Sequence, residues 1–358
     1  MNILLFATAV ALPIALAPAA AQATVPAESA AAGEYDLLYA RGVAAMERGD
    51  LEEARGAFEG AVALRPEAPR ARFHLAQALY MMQRIEPALE QLHACLAIDP
   101  NDAQAHYLTA AALADTGRIA DAAASISRAL EIDPRQPRYL HQRGVISRLQ
   151  GDTAAAARAF EEAARLDPSS PLFPFEEGVA LFEGHQHGAA LRAFQRAASI
   201  KPAWPELQNY IGSCHRARGE WEEAGRAFVA ALEADPENAS AHFGLGSVAL
   251  SRGEIERSEL HLERAARLDP DNPHVHYRLG RLRVAQERTA EAITEFERAV
   301  SLKPVFPGAH YSLALAYRRL GRKAEAEREQ ETFRAQRAAA AKEPRHSPLF
   351  RFAIPEDE

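Results

Sequence analysis

The sequence predicts an all-α solenoid, a fold in which antiparallel helix pairs stack one after another. Two observations predict it. A 34-residue pattern of small, bulky and proline residues recurs without insertion or deletion from residue 35 to about residue 340. The composition is 48% hydrophobic but only 7% aromatic, which favours many alanine-rich helices over one large aromatic core. Repetition at this period is the sequence signature of stacked helix pairs.

Nine repeats account for residues 35–340, and the ninth serves as a C-terminal cap. They span residues 35–68, 69–102, 103–136, 137–170, 171–204, 205–238, 239–272, 273–306 and 307–340. Because each repeat of a solenoid packs only on its neighbours, the terminal repeats need a polar outer face. The second helix of the ninth repeat meets this need, since it has Gln330 and many charged residues at otherwise apolar positions.

Small residues at positions 8 and 20 of the repeat predict a close approach between its two helices. Position 8 is alanine in three repeats and glycine in the others, namely Gly42, Gly144, Gly178, Gly212, Gly246 and Gly280. Position 20 is Ser258 in the seventh repeat and alanine elsewhere, including Ala54, Ala88, Ala122, Ala156, Ala190, Ala224 and Ala292. Position 24 is bulky in eight repeats, and it lies one helical turn beyond position 20. The bulky side chain is therefore expected to fill the space beside this contact.

Two further positions predict where the helices end. Glycine at position 15 in six repeats is expected to close the first helix in a left-handed conformation. Proline at position 32 in eight repeats stops the second helix, because proline cannot continue the helical hydrogen bonds.

These positions resemble the tetratricopeptide-repeat family over residues 35 to about 340, and in particular its exported bacterial members. The resemblance implies a right-handed superhelical solenoid of nine antiparallel helix pairs, whose first helices line an inner groove. The sequence departs from the family at position 4, which is histidine in four repeats. It departs again at position 7, where four repeats have Arg41, Thr109, Arg143 or Glu177 in place of leucine. We expect those four repeats to be more loosely packed.

The two ends of the chain differ from the repeats. Residues 1–23 are uncharged, with an apolar run followed by small residues, which predicts a secretory signal peptide and a periplasmic location. The alternative is an uncleaved anchor facing the periplasm, because the run is just long enough to span a membrane. Residues 24–34 are predicted to be a flexible linker, and residues 341–358 a C-terminal tail.

Little in the sequence points to chemistry. The net charge of −8 argues against nucleic acid, whose phosphates require a basic surface. Phosphate loops, nucleophile elbows and zinc-binding helix motifs are absent from the sequence, so we expect no enzyme activity, no metal and no cofactor. The pair His185 and His187 is the one exception, because two neighbouring imidazoles could bind a metal or small ligand weakly.

Aromatic and arginine side chains on the first helices are the candidate contacts for a partner, since these residue types dominate binding energy at interfaces. The candidates at positions 5 and 12 are Phe73, Tyr80, Tyr107, Arg148, Phe175, Phe182, Arg216, Phe243, Tyr277 and Tyr311. Packing between repeats is the alternative explanation for the aromatic row at position 5. Position 6 has none of the asparagines of the family's known peptide ladder, and reads Glu176 and Tyr210 in the middle repeats.

The sequence therefore predicts a monomeric, non-enzymatic scaffold in the cell envelope that binds a protein or peptide partner in its groove. Two alternatives stay open. One is an accessory subunit of a polysaccharide, glycoconjugate or secretion machine. The other is a weak metal or small-ligand carrier that uses His185 and His187.

Overall fold

The structure, a computed structural model, describes residues 28–342. These residues form 18 helices and no strand, which confirms the all-α prediction. They divide after Arg135 into two compact parts. None of the helices in this span combines the length and the apolarity that a membrane crossing requires.

The first part contains the helices of repeats 1 to 3, which are α1 (Glu28–Arg48), α2 (Leu51–Leu64), α3 (Pro69–Met81), α4 (Ile85–Ile98), α5 (Ala103–Asp115) and α6 (Ile119–Ile132). The second part contains those of repeats 4 to 9, which are α7 (Pro137–Leu149), α8 (Thr153–Leu166), α9 (Leu172–Glu183), α10 (His187–Ile200), α11 (Pro205–Ala217), α12 (Trp221–Ala234), α13 (Ala239–Ser251), α14 (Ile255–Leu268), α15 (Pro273–Ala285), α16 (Thr289–Leu302), α17 (Pro307–Arg319) and α18 (Lys323–Lys342).

Each repeat consists of one odd-numbered helix, the A helix, and the following even-numbered helix, the B helix. Within each part, every A helix packs on its own B helix, and that B helix packs on the next A helix. Seven A helices begin at position 1 of the predicted repeat, and α9 begins one residue later. The periodicity therefore gave the correct boundaries for almost every helix pair.

The predicted linker is wrong from Glu28 onward, because α1 begins at Glu28 and not at Tyr35. Residues 28–32 include three alanines and a glutamate, which are strong helix formers, and they extend α1 towards the N-terminus. The predicted signal peptide, the rest of the linker and all of the predicted tail beyond Lys342 lie outside the described residues.

Close packing of position 8 on position 24 holds each helix pair together. In the five repeats with phenylalanine at position 24, a Cβ added to the glycine at position 8 would lie 2.5–2.7 Å from the ring. These pairs are Gly42–Phe58, Gly144–Phe160, Gly178–Phe194, Gly212–Phe228 and Gly280–Phe296. All five rings are almost completely buried. Position 8 therefore faces the ring at position 24, a closer contact than the one predicted with position 20.

Alanine occurs at position 8 only where the residue at position 24 is not phenylalanine. Ala76 is paired with Leu92, Ala110 with Ile126 and Ala314 with Gln330. The seventh repeat combines Gly246 with Leu262. There the hydroxyl of Ser258, at position 20, donates a buried hydrogen bond to the Gly246 carbonyl.

The left-handed residue at position 15 is present in all nine repeats. The six glycines predicted there have φ between +74° and +79°, so this prediction is confirmed. The other three repeats place Gln83, His185 and Glu287 at the same position, with φ of 60°, 57° and 62°. The turn between A and B helix thus keeps one backbone shape even where the sequence supplies a residue with a Cβ.

Ion pairs take the place of leucine at position 7 in two neighbouring repeats. Arg143 donates to Glu162 over 2.9 Å in repeat 4, and Arg196 donates to Glu177 in repeat 5. Both pairs join position 7 to position 26, with the charges exchanged between the two repeats. Burial raises the pKa of Glu177, and the guanidinium of Arg196 offsets part of that rise.

The last helix has the polar outer face that a terminal repeat requires. Ala326 is the fully packed residue of α18, and most of the other side chains described on this helix are exposed. Gln330 accepts a hydrogen bond from Arg318, and the Gln336 amide donates to the Pro304 carbonyl over 2.7 Å. Polar contacts therefore replace the apolar seam found in the earlier repeats.

We predict that Gly178→Ala destabilises the protein by about 1–3 kcal/mol, because the new methyl group must displace the buried Phe194 ring. Adding Phe194→Leu should recover part of that loss, so the double variant is less destabilised than the sum of the two single variants. Chemical denaturation followed by circular dichroism measures all three.

Gly225→Ala is the matched control, because a Cβ at this position of α12 meets no other atom within 4 Å. It should stabilise the protein by roughly 0.5–1 kcal/mol through helix propensity alone. A neutral or stabilising Gly178→Ala would show that the helix pair can separate without cost.

Candidate functional site

Position 5 of the A helices contributes mainly to packing between repeats. Phe73 and Phe175 are buried, with 6% and 8% of their surface exposed, so the prediction that their rings face a partner is wrong. Phe243 packs beside the core of repeats 7 and 8. The ring of Tyr277 lies 5.9 Å from that of Phe296, centroid to centroid, and 5.0 Å from that of Phe306.

Two other predicted residues at position 5 keep some exposed surface. Tyr107 is partly exposed in the first part of the chain. Tyr311 is 44% exposed at the last A helix, where its ring contacts Phe333 at 5.2 Å. The side chain is open there because no tenth A helix follows among residues 28–342.

Position 12 remains at the surface in all nine repeats. In the first part, the Tyr80 hydroxyl donates to Asp115 on the next A helix over 2.6 Å. In the second part, Arg148, Phe182 and Arg216 are partly exposed on three successive A helices, α7, α9 and α11. These residues of the predicted set are available to a partner.

Five aromatic residues form a cluster around repeat 5, namely Phe175, Phe182, Phe194, Trp204 and Tyr210. The ring of Phe175 lies 4.4 Å from Trp204, which explains its burial. Tyr210 stacks on Phe194 at 5.1 Å with an interplanar angle of 23°, and Phe182 meets it edge-on at 5.7 Å. Phe182, Trp204 and Tyr210 are partly exposed.

The start of α9 explains why the other aromatic residues of repeat 5 are hidden. Pro171 precedes the helix and Pro174 lies in its first turn, where proline is tolerated. Phe173 is 6% exposed and packs near His141 with ring centroids 5.8 Å apart. The late helix start that the prolines favour is present, and it turns Phe173 towards the core.

Charged side chains surround the open edge of this cluster. Arg148 donates to Glu176 over 2.7 Å, and its Nε lies 3.9 Å from Glu183. Burial raises the pKa of Glu176, and Arg148 partly offsets that rise. Burial, together with the charges of Glu206 and Glu183, raises the pKa of Tyr210 to about 12.

We call the group of Tyr210, Phe182, Arg148, Glu176, Glu183 and Glu206 the Tyr210 site. Sequence reasoning found Arg148 and Phe182 but not the other four. Glu176 and Tyr210 were visible at position 6, where they showed only that the asparagine ladder is absent. Their common location depends on packing between three repeats, which a repeat considered alone does not contain.

The histidines at position 4 hold the start of an A helix to the loop before it. Nε2 of His106, His242, His276 and His310 lies 2.9–3.3 Å from the carbonyl of the preceding proline at position 32. A carbonyl only accepts, so Nε2 must carry the proton. These side chains are structural and lie in separate repeats.

Nδ1 of His242, His276 and His310 faces position 23, whose residue decides the effect of protonation. It lies 2.7 Å from Glu295 for His276 and 2.6 Å from Glu329 for His310. The hydrogen bond that His276 donates to Glu295 raises the pKa of His276. In the seventh repeat position 23 is His261, 3.0 Å from His242, and burial together with the charge of His242 lowers the pKa of His261.

His185 and His187 have separate surroundings. Their rings lie 6.0 Å apart and nearly perpendicular, and His187 packs against Phe182 at 5.1 Å. Among residues 28–342, no three histidine, cysteine or acidic side chains are grouped in a way that could hold a metal ion. Cys95 and Cys214 are free thiols, each buried in its own repeat.

Stacked helix pairs with this small-residue contact define a helical-repeat protein. Tetratricopeptide-repeat family models match residues 45–142, in two overlapping segments, and residues 149–206 and 211–273. A third such model matches residues 280–321. The chain therefore belongs to the tetratricopeptide-repeat family. No curated protein sequence matches it.

Three solved structures show the same fold. The C-terminal part of a tetratricopeptide-repeat protein from Cytophaga hutchinsonii has a TM-score of 0.57 at 14% identity, covering 66% of this chain and 97% of that one. The Cut9–Hcn1 hetero-tetramer of APC/C gives 0.56 at 17%, covering 85% and 59%. PilF from Pseudomonas aeruginosa gives 0.51 at 18%, covering 59% and 96%. At these identities the similarity extends to the fold alone.

We predict opposite effects of acid on neighbouring repeats. His276 is more basic in the folded protein, so its pairing with Glu295 stabilises the fold below its ordinary pKa of about 6.5 and is lost as the pH rises through the raised value. Glu295→Gln should therefore lower the melting temperature at about pH 5.5 and have little effect at about pH 8.5.

His261→Glu should do the reverse, because it gives His242 the carboxylate partner found in repeats 8 and 9. Because the pKa of His261 is lowered in the folded protein, the stability that its neutral ring contributes is lost as the pH falls. The glutamate of the variant has no such loss. We expect the variant to have a higher melting temperature at acid pH. Glu256→Gln, at an exposed position of α14, is the neutral control. Equal shifts at both pH values would contradict this assignment.

Proposed function

We propose that this protein is a non-enzymatic scaffold that binds a protein or peptide partner along its A helices. Membership of the tetratricopeptide-repeat family supports this, because such repeats bind protein and peptide partners. The observation that carries the proposal is the exposure of position 12. Arg148, Phe182 and Arg216 stay partly exposed on successive A helices, whereas the apolar side chains at position 7 are packed.

These three side chains have the properties of an interface. Arginine and aromatic residues supply most of the binding energy where proteins associate. Arg216 makes no ion pair with any side chain among residues 28–342, so its guanidinium can donate hydrogen bonds to a carboxylate or carbonyl of a partner. Phe182 offers part of its ring, held edge-on against Tyr210.

The absence of enzyme activity is part of the proposal. The repeats occupy residues 35–340, so an active site would have to be assembled on helix faces that are already engaged in packing and ion pairs. The histidines that recur at position 4 contact proline carbonyls, and His276 and His310 also contact glutamates, which accounts for their recurrence without any chemistry.

Site-specific photocrosslinking in cells tests the proposed face. A photoreactive residue in place of Phe182 or Arg216 should give covalent adducts of the same mass, because both positions face one partner. Leu260 is the matched control, since it is 64% exposed but lies on the B helix α14. Adducts from position 260 alone, or from none of the three, would contradict binding along the A helices.

We also propose that the scaffold acts in the cell envelope after export. The support is the uncharged, apolar segment before residue 24, which ends in two candidate cleavage sites, Ala19-Ala20-Ala21 and Ala21-Gln22-Ala23.

Cell fractionation followed by sequencing of the purified N-terminus tests this location. We expect the protein in the periplasmic fraction with Gln22 or Thr24 as its first residue. A chain that keeps Met1 and sediments with membranes would indicate the uncleaved anchor, and one that keeps Met1 in the cytoplasmic fraction would contradict export.

A further inference from the structure

The Tyr210 hydroxyl is held in place without a hydrogen bond of its own. The ring is fixed by Phe194 on its face at 5.1 Å and by the edges of Phe182 and Phe175 at 5.7 and 5.6 Å. Among residues 28–342, no side chain hydrogen-bonds to the hydroxyl. A rigid and partly exposed phenol therefore offers both a donor and an acceptor towards the surface.

The charges around this hydroxyl do not balance. Glu206 lies one helical turn before Tyr210 on α11, and its charge acts on Tyr210 together with that of Glu176, while Arg148 is the guanidinium that opposes them. Arg148 is already engaged by Glu176 at 2.7 Å and lies 3.9 Å from Glu183. Glu206 is exposed and makes no ion pair within the described part of the chain. Glu206 thus leaves the Tyr210 site with a carboxylate that no arginine or lysine of the described residues neutralises.

Arg216, which lies on α11 with Glu206 and Tyr210, is too far from Glu206 to neutralise its charge. Arg216 lies ten residues after Glu206 on α11. At the helical rise of about 1.5 Å per residue, roughly 15 Å separates the two along the axis. Arg216 is also not among the charges that affect the pKa of Tyr210. The negative region is therefore local to the N-terminal half of α11.

The arrangement suits an organic cation better than a metal ion. The carboxylates are not gathered closely enough to form a metal site. An ammonium or guanidinium group can instead bridge separated carboxylates and a phenol oxygen through several N–H donors. Aromatic rings attract the same cations, and Phe182 supplies an apolar surface for the methylene groups that precede the charge.

We propose that the Tyr210 site binds a lysine or arginine side chain of a basic partner segment. This deepens the scaffold function proposed above and rests on it. The charged head lies between Tyr210 and Glu206, and its stem lies on Phe182. Arg148 holds Glu176 in place beneath it through their hydrogen bond of 2.7 Å.

Selection from a random peptide library displayed on phage, with the full mature chain as target, tests the proposal without knowledge of the partner. We expect enrichment of lysine or arginine in the selected peptides. Fluorescence polarisation then compares a selected peptide with its version in which lysine or arginine is replaced by glutamine. We expect the charged peptide to bind about tenfold more tightly at low salt, and the difference to shrink as salt is added.

Three variants assign the binding to this site. Glu206→Gln should weaken the selected basic peptide about two- to fivefold, since it removes one exposed charge. Tyr210→Phe keeps the ring stack and removes only the hydroxyl, and it should also weaken binding. Glu256→Gln, on the B helix α14, should leave the affinity unchanged. Circular dichroism checks that each variant is folded.

The possible outcomes separate the two proposals. If no peptide is enriched and no crosslink forms at position 182 or 216, both the scaffold function and the basic partner are wrong. If peptides are enriched without basic residues, or bind Glu206→Gln and Tyr210→Phe as tightly as the original chain, the scaffold function stands and the cation site is overturned.

Discussion

The contact between the glycine at position 8 and the ring at position 24 sets the distance between A and B helix in five of the nine repeats. In repeats 4, 5 and 8 the polar contacts between the two helices form at that distance. This distance brings position 7 within reach of position 26, where repeats 4 and 5 place their ion pairs. In repeat 8 it also brings His276, at position 4, against Glu295 at position 23.

The fold could be predicted almost completely from the sequence, because the residues that begin, end and pack the helices recur at fixed positions of each repeat. Proline marks the start or end of helices, and the residue at position 15 adopts one backbone conformation whether or not it is glycine. The extension of α1 to Glu28 was missed because residues 28–32 precede the first repeat and carry none of its landmark positions. Their alanines and glutamate favour a helix by propensity.

The candidate site was predictable only in part, because it is a property of neighbouring repeats and not of one repeat. Phe175 is buried by Trp204, which belongs to the end of the same repeat but follows a whole B helix later. Tyr210 and Glu206 lie on α11 and Arg148 on α7, two repeats apart, and α9 joins them through Phe182, which contacts Tyr210, and Glu176, which binds Arg148. Position-by-position reasoning included Arg148 and Phe182 among its candidates but had no means of placing the charges around them.

The pairing of a small residue at position 8 with a large one at position 24 also limits which helices of the chain can be exchanged for one another. An A helix with glycine at position 8 can pack on a B helix with leucine at position 24, as Gly246 and Leu262 show. No repeat of this sequence combines alanine at position 8 with phenylalanine at position 24. Recombination that joined the A helix carrying Ala76 to the B helix carrying Phe194 would create a steric clash at once. Exchange of a single helix is therefore sterically allowed in one direction only, and the intact helix pair is the unit that can be exchanged without a clash.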